Sequence, residues 1–159
     1  GFDFARQSGY AAVVSVDADG QHRPEEIPRF IETFDRENPD IIVGNRFADG
    51  DYLRRMPWYR VMSNRLSSAL IRMLGRIPVN DVQCGFRLYR LSAICRLPWS
   101  TSGYEFETEI LLEAQRQGLR VDNLPVRCEY PDGTARSGYR AVRDSWRIAK
   151  VVSRSRRQQ

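Results

Sequence analysis

A short apolar run that ends in carboxylates constrains the fold more than any other feature of the sequence. Residues 10–16 are mostly apolar and rich in valine, and the polar loop 17–22 follows them directly. Such a run is typical of a strand that is buried on both faces. Pro24 predicts the start of a helix, whose apolar residues repeat at helical spacing over 27–34. Because 40–44 is a second apolar run, the sequence predicts a strand–helix–strand unit with a parallel pair of strands.

After residue 44 the sequence pattern predicts more helices than strands. The predicted helices are 58–74, 91–96, 104–117 and 139–153, and the predicted strands are 86–89 and 121–130, the latter interrupted by Pro125. A proline inside a strand predicts an edge position or a bulge. We therefore expect an α/β fold with a mixed sheet flanked by helices. Since a buried sheet needs more strands than the two clear ones at the start, the chain resembles the C-terminal part of a larger domain.

Composition excludes several classes of protein. The three cysteines form no C-x-x-C pair, which argues against a zinc or redox motif, and their odd number fits a reducing cytoplasm. No run of about 18 apolar residues is present, so the sequence predicts no membrane span. The net charge is +5, and Lys150 is the only lysine among the 25 basic residues. Arginine suits bidentate contact with phosphate, although genome composition explains the same bias equally well.

The loop after the first strand carries the clearest chemical pattern. Side chains two residues apart in an extended chain point the same way, so Asp17 and Asp19 can converge on one hard cation, with Gln21 as a third oxygen donor. Mg²⁺ and Mn²⁺ favour such ligands. A calcium loop of the EF-hand type is excluded, because His22 and Pro28 occupy the positions that require Gly and Glu. A simple Asp-Gly turn remains the alternative, and we interpret His22 as a loop residue without chemistry.

Residues 14–28, V-S-V-D-A-D-G-Q-H-R-P-E-E-I-P, resemble the D-x-D region of family 2 glycosyltransferases of GT-A fold. The likeness is closest to the polyprenol-phosphate mannose and glucose synthases, and it implies that Asp17, Asp19 and Gln21 hold a Mg²⁺ or Mn²⁺ ion and the donor diphosphate. It also places the family's N-terminal nucleotide-binding part before this chain. A haloacid-dehalogenase-type phosphohydrolase is disfavoured, because Gln21 stands where Thr or Val belongs.

Four further residues are candidates for the same site. Arg46 follows the second predicted strand, so it shares an edge with the carboxylate loop and suits a phosphate of acceptor or donor. The segment 81–87, D-V-Q-C-G-F-R, resembles the second signature of the family. In this segment Asp81 is a candidate base. Alternatively, Asp81 orients Arg87 or the metal ligands, or it caps a turn. Arg87 is a candidate substrate-binding residue. Glu107 is a second candidate base or a support for Arg46; otherwise it stabilises a helix dipole.

The C-terminal segment predicts a basic amphipathic helix with Trp146 on its apolar face. Such a helix can lie on an anionic bilayer, or it can pack on the domain with its basic face in solvent. We therefore divide the chain into a partial GT-A catalytic domain, 1–138, and a basic helix with its tail, 139–159. No sequence signature of nucleic-acid binding is present, and the sequence predicts no oligomeric state.

The resemblance implies inverting transfer of a sugar from a nucleotide-diphosphate sugar to a polyprenyl phosphate. The enzyme would then work at the cytoplasmic face of a membrane as a peripheral protein. Two alternatives remain at this stage. One is a truncated, non-catalytic membrane-surface module, and the other is a family 2 transferase that acts on a saccharide acceptor.

Overall fold

The computed structural model of the chain describes residues 1–98, 103 and 105–129. Its described part is a mixed sheet of four strands flanked by helices. The strands are β1 (Ala12–Ser15), β2 (Ile41–Asn45), β3 (Arg87–Arg90) and β4 (Val121–Pro125). The helices are α1 (Phe2–Gln7), α2 (Ile27–Glu37), α3 (Gly50–Arg55), α4 (Trp58–Gly75), α5 (Leu91–Ile94) and α6 (Phe106–Arg116), with 3₁₀ turns at Pro24–Glu26 and Arg46–Ala48.

The strand order is β1-β3-β2-β4. Strand β3 runs antiparallel to both of its neighbours, with Leu88 opposite Val14 on one side and Ile42 on the other. The expected pairing of β1 with β2 is therefore wrong: the two strands point the same way, but β3 lies between them. Three of the four residues of β3 are buried, Leu88 with 1% exposure, which agrees with a central position in the sheet.

Strand β4 pairs parallel to β2 and closes one edge of the sheet. This confirms the edge position predicted from Pro125, although the strand ends at Pro125 instead of continuing to residue 130. Proline has no backbone N–H to donate to a ladder, so an edge strand can end there without leaving a neighbour unpaired.

The longer helices follow the predicted pattern with shifted ends, whereas α3 was not predicted, because the polar segment 45–56 reads as a loop. Helix α4 extends through Gly75, and its left-handed cap is Arg76 at φ 53°. Gly75 is needed for packing, because a Cβ there would stand 2.4 Å from Leu112 of α6. On α2, Phe30 is buried in the core as its periodicity predicts, whereas Ile31 is 47% exposed.

The core lies between the sheet and these helices. Phe30 of α2 stacks on Phe86 with ring centroids 4.4 Å apart, which fixes the start of β3 beneath the helix that follows the carboxylate loop. Among the described residues, no helix is both long enough and apolar enough to cross a bilayer. The predicted helix 139–153, its basic tail and the boundary at residue 138 lie outside the described residues.

Candidate active site

The loop that follows β1 opens onto a cleft of about 720 Å³. The residues that line it come from this loop, from the start of the next helical turn and from the end of the described chain: Val16, Asp17, Ala18, Gly20, His22, Arg23, Pro24, Glu25 and Glu129. Arg23 and Glu129 form an ion pair on the rim. The carboxylate loop is thus one wall of a cleft at the end of β1, which is half-buried and lies at an edge of the described sheet instead of being fully buried as expected. The ends of strands are where open α/β sheets bind ligands.

The Asp17 side chain lies directly against Gly85 of the D-V-Q-C-G-F-R segment. A Cβ at Gly85 would stand 2.4–2.6 Å from the carboxylate of Asp17, so only glycine leaves room for it. The Ser15 hydroxyl donates to the Gly85 carbonyl at 2.9 Å and ties the two segments together. The Asp17 side chain is still 52% exposed, which leaves its oxygens accessible from the cleft.

Asp19 and Gln21 shape the same loop. The Asp19 Oδ1 atom accepts a hydrogen bond from the Gln21 backbone N–H at 3.0 Å, and Gly20 has φ 77°. The Gln21 carbonyl accepts from the Glu129 N–H at 2.9 Å. An Asp-Gly turn is therefore present, and it is compatible with carboxylates at the strand end.

The donor set fits an open site for a hard cation. Within the described ranges no three His, Cys, Asp or Glu side chains converge as a closed metal site would require. Two carboxylates on an exposed loop, beside a glycine that leaves space for one of them, suit an ion that keeps water and substrate phosphate as ligands. Asp17 and Asp19, with Gln21 next to them, are the residues that would hold it.

His22 is buried beside Asp17, a placement that the sequence did not indicate. Its Nε2 atom lies 3.9 Å from Asp17 Oδ2, and its Nδ1 atom lies 3.8 Å from the sulfur of Cys128. Burial lowers the pKa of His22, and the positive charge of Arg46 lowers it further. The two ring nitrogens of His22 thus face a thiol on one side and a carboxylate on the other. In the sequence, the feature that relates His22 to the site is its closeness to Asp17 and Asp19.

Arg46 and Asp81 form a buried bidentate pair. The Arg46 Nε and Nη2 atoms donate to the two Asp81 carboxylate oxygens at 2.6 and 2.9 Å, and the Arg46 backbone N–H lies 3.3 Å from Oδ2. Asp81 has no exposed side-chain surface, and that of Arg46 is 11% exposed. Asn45 accepts from the Phe47 N–H at 3.1 Å and so caps the 3₁₀ turn that begins with Arg46. The structure thus brings these two predicted site residues together, and Asp81 lies against Arg46, not against Arg87.

Arg87 is fully buried and acts as an internal brace. Its guanidinium donates to the carbonyls of Cys84, Val82 and Glu107 at 2.6, 2.6 and 2.7 Å. These bonds hold the D-V-Q-C-G-F-R loop against the start of α6. The expected contact of Arg87 with substrate does not fit this placement, because the side chain has no exposed surface.

Glu107 lies at the start of α6, with its carboxylate 3.6 Å from Arg87 and 26% exposed. Burial raises the pKa of Glu107, and the Arg87 guanidinium offsets part of that rise. The charges of Asp17, Arg46 and Asp81 also act on it, so Glu107 belongs to the same cluster. A mostly buried carboxyl that keeps some exposed surface and has a raised pKa suits proton transfer better than the fully buried Asp81.

Cys84 has no feature of a nucleophile. The thiol is buried, and burial raises its pKa. The thiolate is the reactive form of cysteine, so this environment disfavours attack on a substrate.

Comparison with known proteins assigns the family. The model of glycosyl transferase family 2 matches residues 1–97. The polyprenol monophosphomannose synthase of Mycolicibacterium smegmatis is 30% identical over 129 residues, which cover 79% of this chain and 48% of that protein. The undecaprenyl-phosphate mannosyltransferase of Micrococcus luteus is 30% identical over 129 residues, which cover 79% of this chain and 52% of the relative. The chain belongs to glycosyl transferase family 2.

Solved structures agree on the fold. Glucosyl-3-phosphoglycerate synthase of Mycobacterium tuberculosis superposes with a TM-score of 0.65 at 17% identity, over 97% of this chain and 52% of that one. The same enzyme in complex with Mn²⁺, uridine diphosphate and glucosyl-3-phosphoglycerate gives 0.61 at 18% identity. The mixed sheet is thus that of GT-A glycosyltransferases, as the sequence predicted. The chain spans about half the length of the curated relatives that it matches.

Proposed function

We propose that this chain is the acceptor-side part of a family 2 enzyme that transfers a sugar from a nucleoside-diphosphate sugar to a polyprenyl phosphate, with inversion. The observation that carries the proposal is the Asp17 carboxylate, held against Gly85 at the mouth of the cleft. Two relatives of the same family are named for polyprenol-phosphate and undecaprenyl-phosphate mannosyl transfer. Their names support the acceptor class, and the cleft supports the site.

Asp17, Asp19 and Gln21 are proposed to hold a Mg²⁺ or Mn²⁺ ion together with the donor diphosphate. Such an ion neutralises charge on a leaving diphosphate. The carboxylates lie at the end of β1, and the loop is fixed by the Gln21–Glu129 backbone bond. The Mycobacterium tuberculosis neighbour solved with Mn²⁺ and uridine-diphosphate-glucose supports a divalent ion and a nucleotide-sugar donor for this fold.

Arg46 is proposed to face the acceptor phosphate, and Asp81 is proposed to orient it. Both Asp81 oxygens accept from Arg46, and the carboxylate has no exposed surface. A base must reach the proton that it removes, so orientation fits Asp81 better than proton transfer. The pair would hold the guanidinium in one position and orientation, which is the preorganisation that phosphate recognition needs.

Glu107 distinguishes two acceptor classes. A phosphate acceptor is already anionic and needs little help from a base, whereas a saccharide hydroxyl must lose a proton. The raised pKa of Glu107 is the observation that keeps a saccharide acceptor as the second candidate. Replacement of Glu107 by Gln should reduce transfer to a lipid phosphate only mildly, and should reduce transfer to a sugar hydroxyl by roughly 100-fold or more.

The experiment uses the protein at the full length of its relatives, since this chain covers about half of them. Radiolabelled nucleotide sugars are incubated with Mn²⁺ and polyprenyl phosphate, and labelled lipid is extracted and counted. Asp19→Ala should abolish transfer, and Asp51→Ala, an exposed aspartate of α3 outside the cleft, should leave it unchanged. Transfer that survives Asp19→Ala, or no transfer with any donor, would contradict the proposal.

The proposal places the enzyme at the cytoplasmic face of a membrane, where its lipid acceptor is. The described residues contain no bilayer-spanning helix, so within them contact with lipid requires a surface. The predicted basic helix 139–153 is one candidate and stays a prediction. A non-catalytic membrane-surface module would bind the membrane but would need no metal, so the Asp19→Ala comparison separates it from the enzyme.

A further inference from the structure

Helix α4 carries apolar side chains on two faces. Its inner face is anchored in the domain, with Val61 and Ile71 8% and 3% exposed. Its outer face bears six exposed apolar side chains that we call the α4 stripe: Trp58 76%, Tyr59 56%, Met62 58%, Leu66 71%, Leu70 49% and Met73 70% exposed. At about 100° per residue these six fall within an arc of about 120° around the helix.

A stripe of this kind is unusual on a helix that faces water. A surface helix of a globular protein places its apolar residues toward the core and polar ones outward. Single exposed apolar residues are common, but a contiguous row marks an interaction surface. The stripe begins with Trp58 and Tyr59, whose rings suit a boundary between water and an apolar phase.

The charges around the stripe indicate what covers it. Residues 52–80 contain six arginines and no aspartate or glutamate. Arg65 and Arg72 are exposed. At about 100° per residue they lie about 20° and 40° beyond the edge of the stripe. Two copies of this chain packed through α4 would bring like charges together, whereas anionic headgroups would attract them. We infer that the α4 stripe docks this domain on an anionic bilayer, with the apolar side chains in the interface and the arginines among the headgroups.

The position of α4 next to the site gives this docking a consequence. The Ser68 hydroxyl accepts the Val82 backbone N–H at 3.3 Å, one residue after Asp81. The guanidinium of Arg65 lies 5.6 Å from the centre of the Phe47 ring, one residue after Arg46. A bilayer against α4 therefore lies close to the Arg46–Asp81 pair, where the proposed lipid phosphate would be held. This consequence rests on the proposed function; the docking itself does not.

The test is flotation of the protein with phosphatidylcholine vesicles, with and without phosphatidylglycerol, in the absence of any sugar donor. Met62→Glu combined with Leu66→Glu should lower the vesicle-bound fraction on the order of 100-fold, because two apolar anchors are replaced by charges. Arg65→Gln and Arg72→Gln should each lower binding about fivefold, and only on vesicles that contain phosphatidylglycerol. Ile31→Glu changes an exposed apolar residue on α2 and is the matched control, which should bind like the parent.

Three outcomes would overturn the inference. The parent protein could fail to bind anionic vesicles, or the Met62/Leu66 variant could bind as well as the parent while circular dichroism shows it folded. The same variant could instead abolish a dimer seen by light scattering, which would assign the stripe to a second copy. Flotation does not require sugar transfer, so the docking and the proposed activity are tested independently. An enzyme that transfers sugar to a detergent-dissolved acceptor but does not bind vesicles would contradict only the docking.

Discussion

The substitution Gly85→Ala should disturb the candidate metal site and leave the fold intact. The added Cβ would stand 2.4–2.6 Å from three carboxylate atoms of Asp17, whereas an ordinary contact of this kind is about 3.5 Å. The carboxylate must therefore retreat by roughly 1 Å. Because Asp17 is the flexible end of a half-exposed side chain, the fold can absorb this shift, and we expect unfolding free energy to change by less than ~1 kcal/mol. A misplacement of roughly 1 Å in an active site lowers the reaction rate about 100-fold.

The assay measures Mn²⁺ binding to the protein, at the full length of its relatives, in the presence of a nucleoside diphosphate. Electron paramagnetic resonance of the free ion reports the binding. Gly85→Ala should weaken Mn²⁺ binding between about 10-fold and 100-fold. Gly50→Ala is the control, since a Cβ at Gly50 meets nothing within 4 Å. If Gly85→Ala folds normally by urea denaturation and binds Mn²⁺ as tightly as the parent, the Asp17 carboxylate does not hold the ion in this cradle.

Three further predictions concern buried groups of the site. Asp81→Asn removes the buried charge that accepts two hydrogen bonds from Arg46, so urea denaturation should show a loss of about 3–5 kcal/mol in unfolding free energy; a loss below ~1 kcal/mol would contradict the buried pair. Burial raises the pKa of Glu107, so ionisation of this carboxyl lowers the stability of the folded protein as pH rises through that pKa. Glu107→Gln should therefore raise the unfolding free energy at pH 7 but not below the ordinary carboxyl pKa. A gain in unfolding free energy that grows in acid would contradict this. Titration of native protein with Ellman's reagent should modify Cys95 but not the buried Cys84 and Cys128; fast reaction of all three would contradict their burial.

The local parts of the fold could be predicted from the sequence, and the order of the strands could not. The apolar run before Asp17 and the Asn38-Pro39 stop define β1 and α2 closely, because caps and periodicity act within a few residues. The place of β3 between β1 and β2 depends on pairing across more than 40 residues. Periodicity carries no such information, and a strand–helix–strand pattern suggests adjacency that the sheet does not have.

The candidate site shows the same division between near and distant effects. The position of Asp17 and Asp19 in one loop after β1 was predicted, since both follow one strand, and their binding of one cation stays a prediction. The pairing of Arg46 with Asp81 was not, because 35 residues separate them, and a charged residue in a motif indicates neither its partner nor its burial. His22 was missed for a related reason: its burial depends on Cys128, which lies 106 residues further along the chain.

The D-V-Q-C-G-F-R segment illustrates why charge is a poor guide to function within a motif. Its two charged residues are used internally, Asp81 on Arg46 and Arg87 on three backbone carbonyls. Its uncharged Gly85 is the residue that faces the cleft carboxylate. A segment that braces itself with buried charges holds its backbone rigidly, and a rigid backbone without a side chain can set the position of Asp17. The segment therefore acts on the site through the shape that its charges stabilise, and Gly85→Ala should disturb ion binding while Asp81→Asn should first disturb folding.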